Sequence, residues 1–336
     1  MNSFYRQKTA PYFYNCSFES LDSIPVANPR NVFVAVLLIL LWIGFQIIYL
    51  PCLRVIHIGR HRYACFQLMF YIGLLDLGAL HINGAFSAVL LLNEWLFCSN
   101  MQLILVLNSI FMGLWLTHSV IAILLAMCRC LEVFYPQQAE VVFGGRNGKI
   151  LVVGGSIYGI LGACYIRSAI NTSIFLPWVP DSLVNEVSND NRSSFLNEFY
   201  TIHNITFIVL IILLYVTFTI ISAVRIKALK KKGKMKFNKT QKRSFVQVAL
   251  ISCINSASAT MCIYFQTKPQ NQVLTVLAFL VLIFTHGVPA ITYLTINKTI
   301  RNGCQRLLRR AQLHSIAIVP ETLAKTSIDR ENTVIN

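Results

Sequence analysis

Arg225-Ile226-Lys227-Ala228-Leu229-Lys230-Lys231-Lys232-Gly233-Lys234-Met235-Lys236, continuing to Lys239, Lys242 and Arg243, holds ten basic residues and no acid. Apolar runs long enough to cross a bilayer flank it on both sides, and the chain holds seven such runs in all. A helix must cover about 30 Å of hydrocarbon, which takes about 20 apolar residues. The runs are Val32 to Ile56, Ala64 to Leu92, Asn100 to Cys128, Ile150 to Ile170, Asn204 to Val224, Ser244 to Gln266 and Val273 to Ile296. The basic block separates the fifth from the sixth. The pattern predicts an all-α membrane protein, a bundle of seven transmembrane helices, and the block predicts which way round it sits.

The sixth run is the least apolar, with Gln247, Ser252, Asn255, Ser256, Ser258 and Thr260. Polar side chains turned toward a bundle interior account for it. Composition agrees with a lipid environment. The 336 residues are 55% hydrophobic and 12% charged, with a mean hydropathy of +0.60. A net charge of +16 is a property of nucleic-acid binders too. Here it reads as the positive bias of cytoplasmic loops, and no nucleic-acid partner is expected.

The first 31 residues contain no cleavable apolar core, so the first run is expected to act as its own insertion signal, leaving the N-terminus outside. That orientation puts 23 Lys and Arg residues in inner segments and 6 in outer ones. The sequons at Asn15, Asn171 and Asn191 then fall outside, as N-glycosylation requires, and Asn204 falls at the margin of a span. Those at Asn238 and Asn297 fall inside and should be silent. The expected organisation is an extracellular segment over 1–31, the bundle over 32–298, an amphipathic juxtamembrane helix over 299–313 and a disordered cytoplasmic tail over 314–336.

Ten cysteines are scattered without metal-ligand spacing, so neither metal nor cofactor is expected. Only Cys16 and Cys98 fall in outer segments. The oxidising outer face lets them form a disulfide from the N-terminal segment to the top of the third span; two free thiols are the alternative. Cys304 follows the seventh span among Ile300, Leu307, Leu308 and Ala311 at helical spacing, on the expected surface helix. It is a candidate for palmitoylation, with an ordinary reduced thiol as the alternative.

Asp76 is the only acid within the spans, about 18 Å from the inner end of the second at 1.5 Å per residue. An ionisable group at that depth needs an interior partner. His118 on the third span and His286 on the seventh lie near the same depth. An interior polar cluster of Asp76, His118 and His286 is expected, with Asn108 or Ser119 nearby. A protonated, purely structural Asp76 is the alternative.

Several short stretches carry a family resemblance: Tyr14-Asn15-Cys16, Tyr49-Leu50-Pro51-Cys52, Gly73-Leu74-Leu75-Asp76, Gly113-Leu114-Trp115, Arg129-Cys130-Leu131, His286-Gly287-Val288-Pro289 and Asn297-Lys298-Thr299-Ile300-Arg301. In their order and spacing, over roughly residues 14 to 310, the chain resembles nematode serpentine chemoreceptors of the Srt class. The resemblance implies a G-protein-coupled sensory receptor in the plasma membrane of sensory cilia. It would detect an external small molecule and signal through a heterotrimeric G protein. By the same resemblance Arg129 faces the G protein, with headgroup snorkelling as its alternative. Lys230, Lys231 and Lys232 contact the G protein, bind an anionic inner leaflet, or only set topology.

The chain departs from rhodopsin-like receptors in ways that matter. Cys128-Arg129-Cys130 keeps the arginine at the end of the third span but not the acid that usually precedes it. The seventh span has a loosely spaced Pro289 and Tyr293, the sixth has neither proline nor tryptophan, and the second outer loop has no cysteine. The ligand pocket is expected in the outer half of the bundle, where Trp95, Trp178, Tyr200 and Tyr264 lie, but the sequence does not define its lining. The rival reading is a ligand-gated seven-span ion channel, whose reverse topology the charge count opposes. A retinal photoreceptor would need a lysine in the seventh span, which has none. Neither the repeats of a transporter nor the nucleophile–base motif of an enzyme is present.

Overall fold

The computed structural model of the protein describes residues 29–60, 64–93, 101–165, 198–231, 239–267 and 272–310, and helix is the only regular structure among them. The elements are α1 (Pro29–Gly59), α2 (Ala64–Leu80), a π-helical stretch (His81–Phe86), α3 (Ser87–Leu92), α4 (Met101–Phe134), α5 (Pro136–Phe143), α6 (Gly145–Tyr165), α7 (Glu198–Lys231), α8 (Lys239–Thr267) and α9 (Gln272–Thr295). A final helix, α10, covers residues 298–310. Seven units among these are long and apolar enough to cross a membrane: α1, the continuous α2–π–α3 unit, α4, α6, α7, α8 and α9.

Apolar side chains cover the exterior as well as filling the core, and a few polar ones are buried among them. Leu40, Ile47, Leu161 and Val224 are each more than 60% exposed, whereas Asp76, His118, Asn204, Gln247, Asn255 and His286 are all buried. With lipid as solvent, apolar side chains gain nothing by hiding, while polar groups must find partners inside. This explains the sixth span. Gln247, Ser252, Asn255 and Ser258 of α8 are buried, and the exposed Thr260 satisfies its hydroxyl on the Ser256 carbonyl of its own helix at 2.8 Å.

The seven spanning helices close into a ring in which α4 packs against α2, α6, α7 and α8, while α9 closes the ring against α1, α2 and α8. Small residues permit the tightest of these contacts. A Cβ at Gly159 of α6 would collide with Thr117 Oγ1 and lie 2.7 Å from the Gly113 carbonyl, so only glycine lets α6 approach α4 this closely.

Between α4 and α6 the chain turns through α5, with Pro136 in its first turn, where its missing N–H costs nothing. Gly145 then adopts φ +52°, a conformation that favours glycine. Its carbonyl accepts from Gln67 Nε2 of α2 at 3.3 Å, pinning the turn to the bundle.

Two features extend the reading from sequence. The third span continues as helix to Phe134, six residues beyond Cys128, the end of its apolar run. The second span is interrupted toward its C-terminal end by the π-helical stretch, where Ser87 Oγ donates to the Ile82 carbonyl five residues back at 2.9 Å. Nothing in the apolar pattern marks that change of pitch.

Candidate functional site

The site is assembled at mid-bundle from four helices. Asp76 projects from α2 and is completely buried. His286 of α9 lies with Nδ1 2.9 Å from Asp76 Oδ1. His118 of α4 brings Nε2 to 3.1 Å from the same oxygen, without hydrogen-bond geometry. The other carboxylate oxygen, Oδ2, accepts the Tyr49 hydroxyl of α1 at 2.5 Å. An ionised carboxylate only accepts, so in that state the facing ring nitrogen of His286 carries a hydrogen. The structure thus brings together Asp76, His118 and His286, the three residues singled out from depth alone, and adds Tyr49, which that reasoning missed. Tyr49 sits in the quoted Tyr49-Leu50-Pro51-Cys52 stretch, but its depth on α1 becomes meaningful only with helix packing.

Aromatic packing fixes these rings. Trp115 stacks on His118, with centroids 6.2 Å apart and planes 10° from parallel, and meets His286 edge-on at 6.3 Å. Trp115 is itself held by its Nε1–H, which donates to Asn204 Oδ1 of α7 at 3.0 Å. Asn204 in turn donates to the Tyr200 carbonyl at 2.8 Å. Its side chain is therefore committed inside the bundle, consistent with its marginal value as a sequon. The two neighbours expected for the cluster act elsewhere. Ser119 Oγ donates to the Trp115 carbonyl of its own helix at 2.8 Å. Asn108 is buried with its Nδ2 unpaired, ten residues from His118 along α4.

Pro289 lies one turn below His286. A proline inside a helix removes one backbone donor, here leaving the Thr285 carbonyl without its helical partner. Thr285 Oγ1 and Ser258 Oγ lie 2.8 Å apart, joining α9 to α8 beside the cluster.

Asp76, His118 and His286 have ligand atoms within 4.8 Å of one another, the composition of a metal site. Ligating histidines normally donate their second ring nitrogen to a supporting acceptor. Here His118 Nδ1 and His286 Nε2 are buried without partners, and Tyr49 already occupies one carboxylate oxygen. The arrangement fits a hydrogen-bonded polar core better than a coordination sphere.

A second constellation lies at the far end of α4. Arg129 Nη1 pairs with Glu132 Oε2 at 2.9 Å, one turn further along the same helix, and its Nη2 lies 2.9 Å from Met69 Sδ of α2. The arginine therefore has an acid partner after all, three residues after it instead of immediately before. Sequence reasoning missed Glu132 because the apolar run ends at Cys128, which puts Glu132 outside the assumed helix. Cys128, beside Arg129, meets Cys65 of α2 with sulfurs 2.7 Å apart. Glu132 and these two cysteines are another trio of metal-ligand type, but the guanidinium already bound to Glu132 opposes a second cation there.

Cys304 faces inward. It is 4% exposed, with its sulfur 4.0 Å from Cys52 Sγ of α1, and burial raises its thiol pKa. Gly303 makes this close seat possible, since a Cβ there would meet Val55 at 2.5 Å. In this arrangement the sulfur packs α10 onto α1 and is not presented for acylation. Lys230 and Lys231 lie in the last turn of α7. Lys232, Cys16, Cys98, Asn15, Asn171, Asn191, Trp95 and Trp178 lie outside the described residues. Of the remaining aromatic candidates, Tyr200 is fully buried and Tyr264 is 46% exposed.

A closed ring of seven membrane-length helices around a buried carboxylate–imidazole core defines a multi-pass serpentine membrane protein. Residues 2–316 match the model of the family described as serpentine type 7TM GPCR chemoreceptor Srt, and the chain belongs to that family. It is a chemoreceptor of the G-protein-coupled class and not an enzyme. No curated protein matches the chain in sequence.

Proposed function

We propose that this receptor lies in the plasma membrane with its N-terminus outside. It binds an external small molecule in the outer half of the bundle and activates a heterotrimeric G protein at the inner face. The family match across nearly the whole chain carries this reading. The excess of basic residues in the segments assigned to the inside supports the orientation. On this reading Asn15, Asn171 and Asn191 carry glycans, Cys16 and Cys98 form the outer disulfide, and residues 314–336 form the cytoplasmic tail.

The buried core supplies a means of coupling. Asp76 links α2 to α1 through Tyr49 and to α9 through His286, with His118 of α4 alongside. A polar group in so apolar a setting resists partial rearrangement, so a shift of one helix carries the others with it. At the inner end, the Arg129–Glu132 pair is the counterpart of a resting lock. Its opening frees the guanidinium to meet a partner's backbone carbonyls. On the same reading Lys230, Lys231 and Lys232 meet either the G protein or anionic headgroups.

The test is expression in cells with a second-messenger readout across a panel of small volatile and water-soluble compounds. At least one compound should evoke a response that requires the G protein. A ligand-gated current that persists without any G protein would replace this reading with a channel.

A further inference from the structure

Cys65 in the first turn of α2 and Cys128 near the inner end of α4 place their sulfurs 2.7 Å apart. Ordinary non-bonded contact settles at roughly 3.5–4.0 Å, and a disulfide at about 2.05 Å. Both cysteines are completely buried and free of any disulfide. The other close thiol pair, Cys52 and Cys304, lies at 4.0 Å, an ordinary packing distance. The Cys65–Cys128 pair therefore stands out in its approach.

Its surroundings give the pair leverage. Cys128 immediately precedes Arg129. Met69, one turn along α2 from Cys65, touches the Arg129 guanidinium at 2.9 Å. A covalent tie between these sulfurs would fasten α2 to α4 directly beside the Arg129–Glu132 pair.

We propose that Cys65 and Cys128 form a redox-sensitive modification site, oxidised by hydroperoxides to an intramolecular disulfide that clamps the inner ends of α2 and α4. Because both thiols are buried, the step requires the inner ends of α2 and α4 to part far enough to admit water and the hydroperoxide. One sulfur, then deprotonated, breaks the O–O bond, taking one oxygen as a sulfenic acid and releasing the other as water or an alcohol. The second thiol displaces that oxygen as water and forms the S–S bond. Two thiols and one hydroperoxide thus give one disulfide, one water and one alcohol or second water. The two sulfurs together lose two electrons and the O–O bond gains them. The proposal rests on the orientation above, which puts the pair at the reducing side of the membrane. There the disulfide forms only under oxidant and is reversed by thiol exchange.

The experiment uses the full chain in cell membranes, untreated or treated with hydrogen peroxide. Free thiols are blocked with N-ethylmaleimide, and the protein is digested without reduction and mapped by mass spectrometry. The thermal midpoint of each sample is measured after solubilisation. Expected is a Cys65–Cys128 cross-linked peptide that is absent before treatment, dominant after it and removed by dithiothreitol. The midpoint should rise by several degrees in the wild type and stay unchanged in Cys65→Ser and Cys128→Ser. Two alkylated cysteines after peroxide would overturn the proposal, and the wild-type mapping needs no variant to fold. A cross-link already complete without peroxide would overturn the switch as well. The glycan at Asn15 then separates the causes: if Asn15 is glycosylated the orientation survives and only the switch fails, and if it is bare the orientation fails too.

Discussion

Asp76 on α2 and His286 on α9, 210 residues apart in sequence, are joined at 2.9 Å in the centre of the bundle. With Tyr49 on the other carboxylate oxygen, this bond ties both neighbours of α1 in the ring to α1 itself. Asp76→Asn keeps the shape but loses the charge, and charge-assisted bonds are about twice as strong as neutral ones. Surface expression should persist while the ligand response weakens by about tenfold, or ~1.4 kcal/mol. Asp76→Ala strands the imidazoles and should cost about 3–5 kcal/mol, read as loss of surface protein. An Asp76→Asn receptor with unchanged expression, response and basal signalling would remove the coupling role.

Glu132→Gln removes the charged acceptor of Arg129. The pair is partly exposed, so solvent screening limits its worth to about 1 kcal/mol. Basal second-messenger output should rise roughly fivefold at equal surface density, one kcal/mol being a factor of about five. Unchanged basal output would mean that this pair is not the resting lock.

Trp115→Phe deletes the N–H that satisfies Asn204 Oδ1. Leaving that buried oxygen unpaired should cost about 1–3 kcal/mol, visible as a lower thermal midpoint of the solubilised receptor. Adding Asn204→Leu removes both polar partners and should recover part of the loss. A double variant no better than Trp115→Phe would argue against the bond as the cause.

Gly159→Ala places a methyl against Thr117 and the Gly113 backbone, whereas Gly154 on the same helix has nothing within 4 Å. Overpacking costs about 1–3 kcal/mol. Gly159→Ala should lower thermal stability and Gly154→Ala should leave it nearly unchanged. Equal effects would contradict the close α4–α6 approach.

Much of the fold is legible in the chain because lipid imposes a simple rule: each crossing needs an apolar run, and each polar group within it needs a partner. That rule found seven helices and put Asp76, His118 and His286 at one depth. It could not find Tyr49, whose hydroxyl looks like any other in an apolar run, nor the Cys65–Cys128 contact, which depends on helix rotation. Glu132 escaped for a different reason. Apolar runs report where hydrocarbon ends, whereas α4 continues past that point to Phe134. The π-helical stretch escaped because a change of pitch alters backbone bonding without altering hydrophobicity.

In the proposed function Arg129 passes ligand occupancy to a G protein. The most direct measurement of that step is guanine-nucleotide exchange by a heterotrimeric G protein reconstituted with the purified receptor, exposed to each compound that elicits a cellular response. Exchange should accelerate with the wild type and not with Arg129→Ala, while binding of the compound persists in both. A compound that binds and opens an ionic current across the reconstituted membrane, with no nucleotide exchange, would contradict that function.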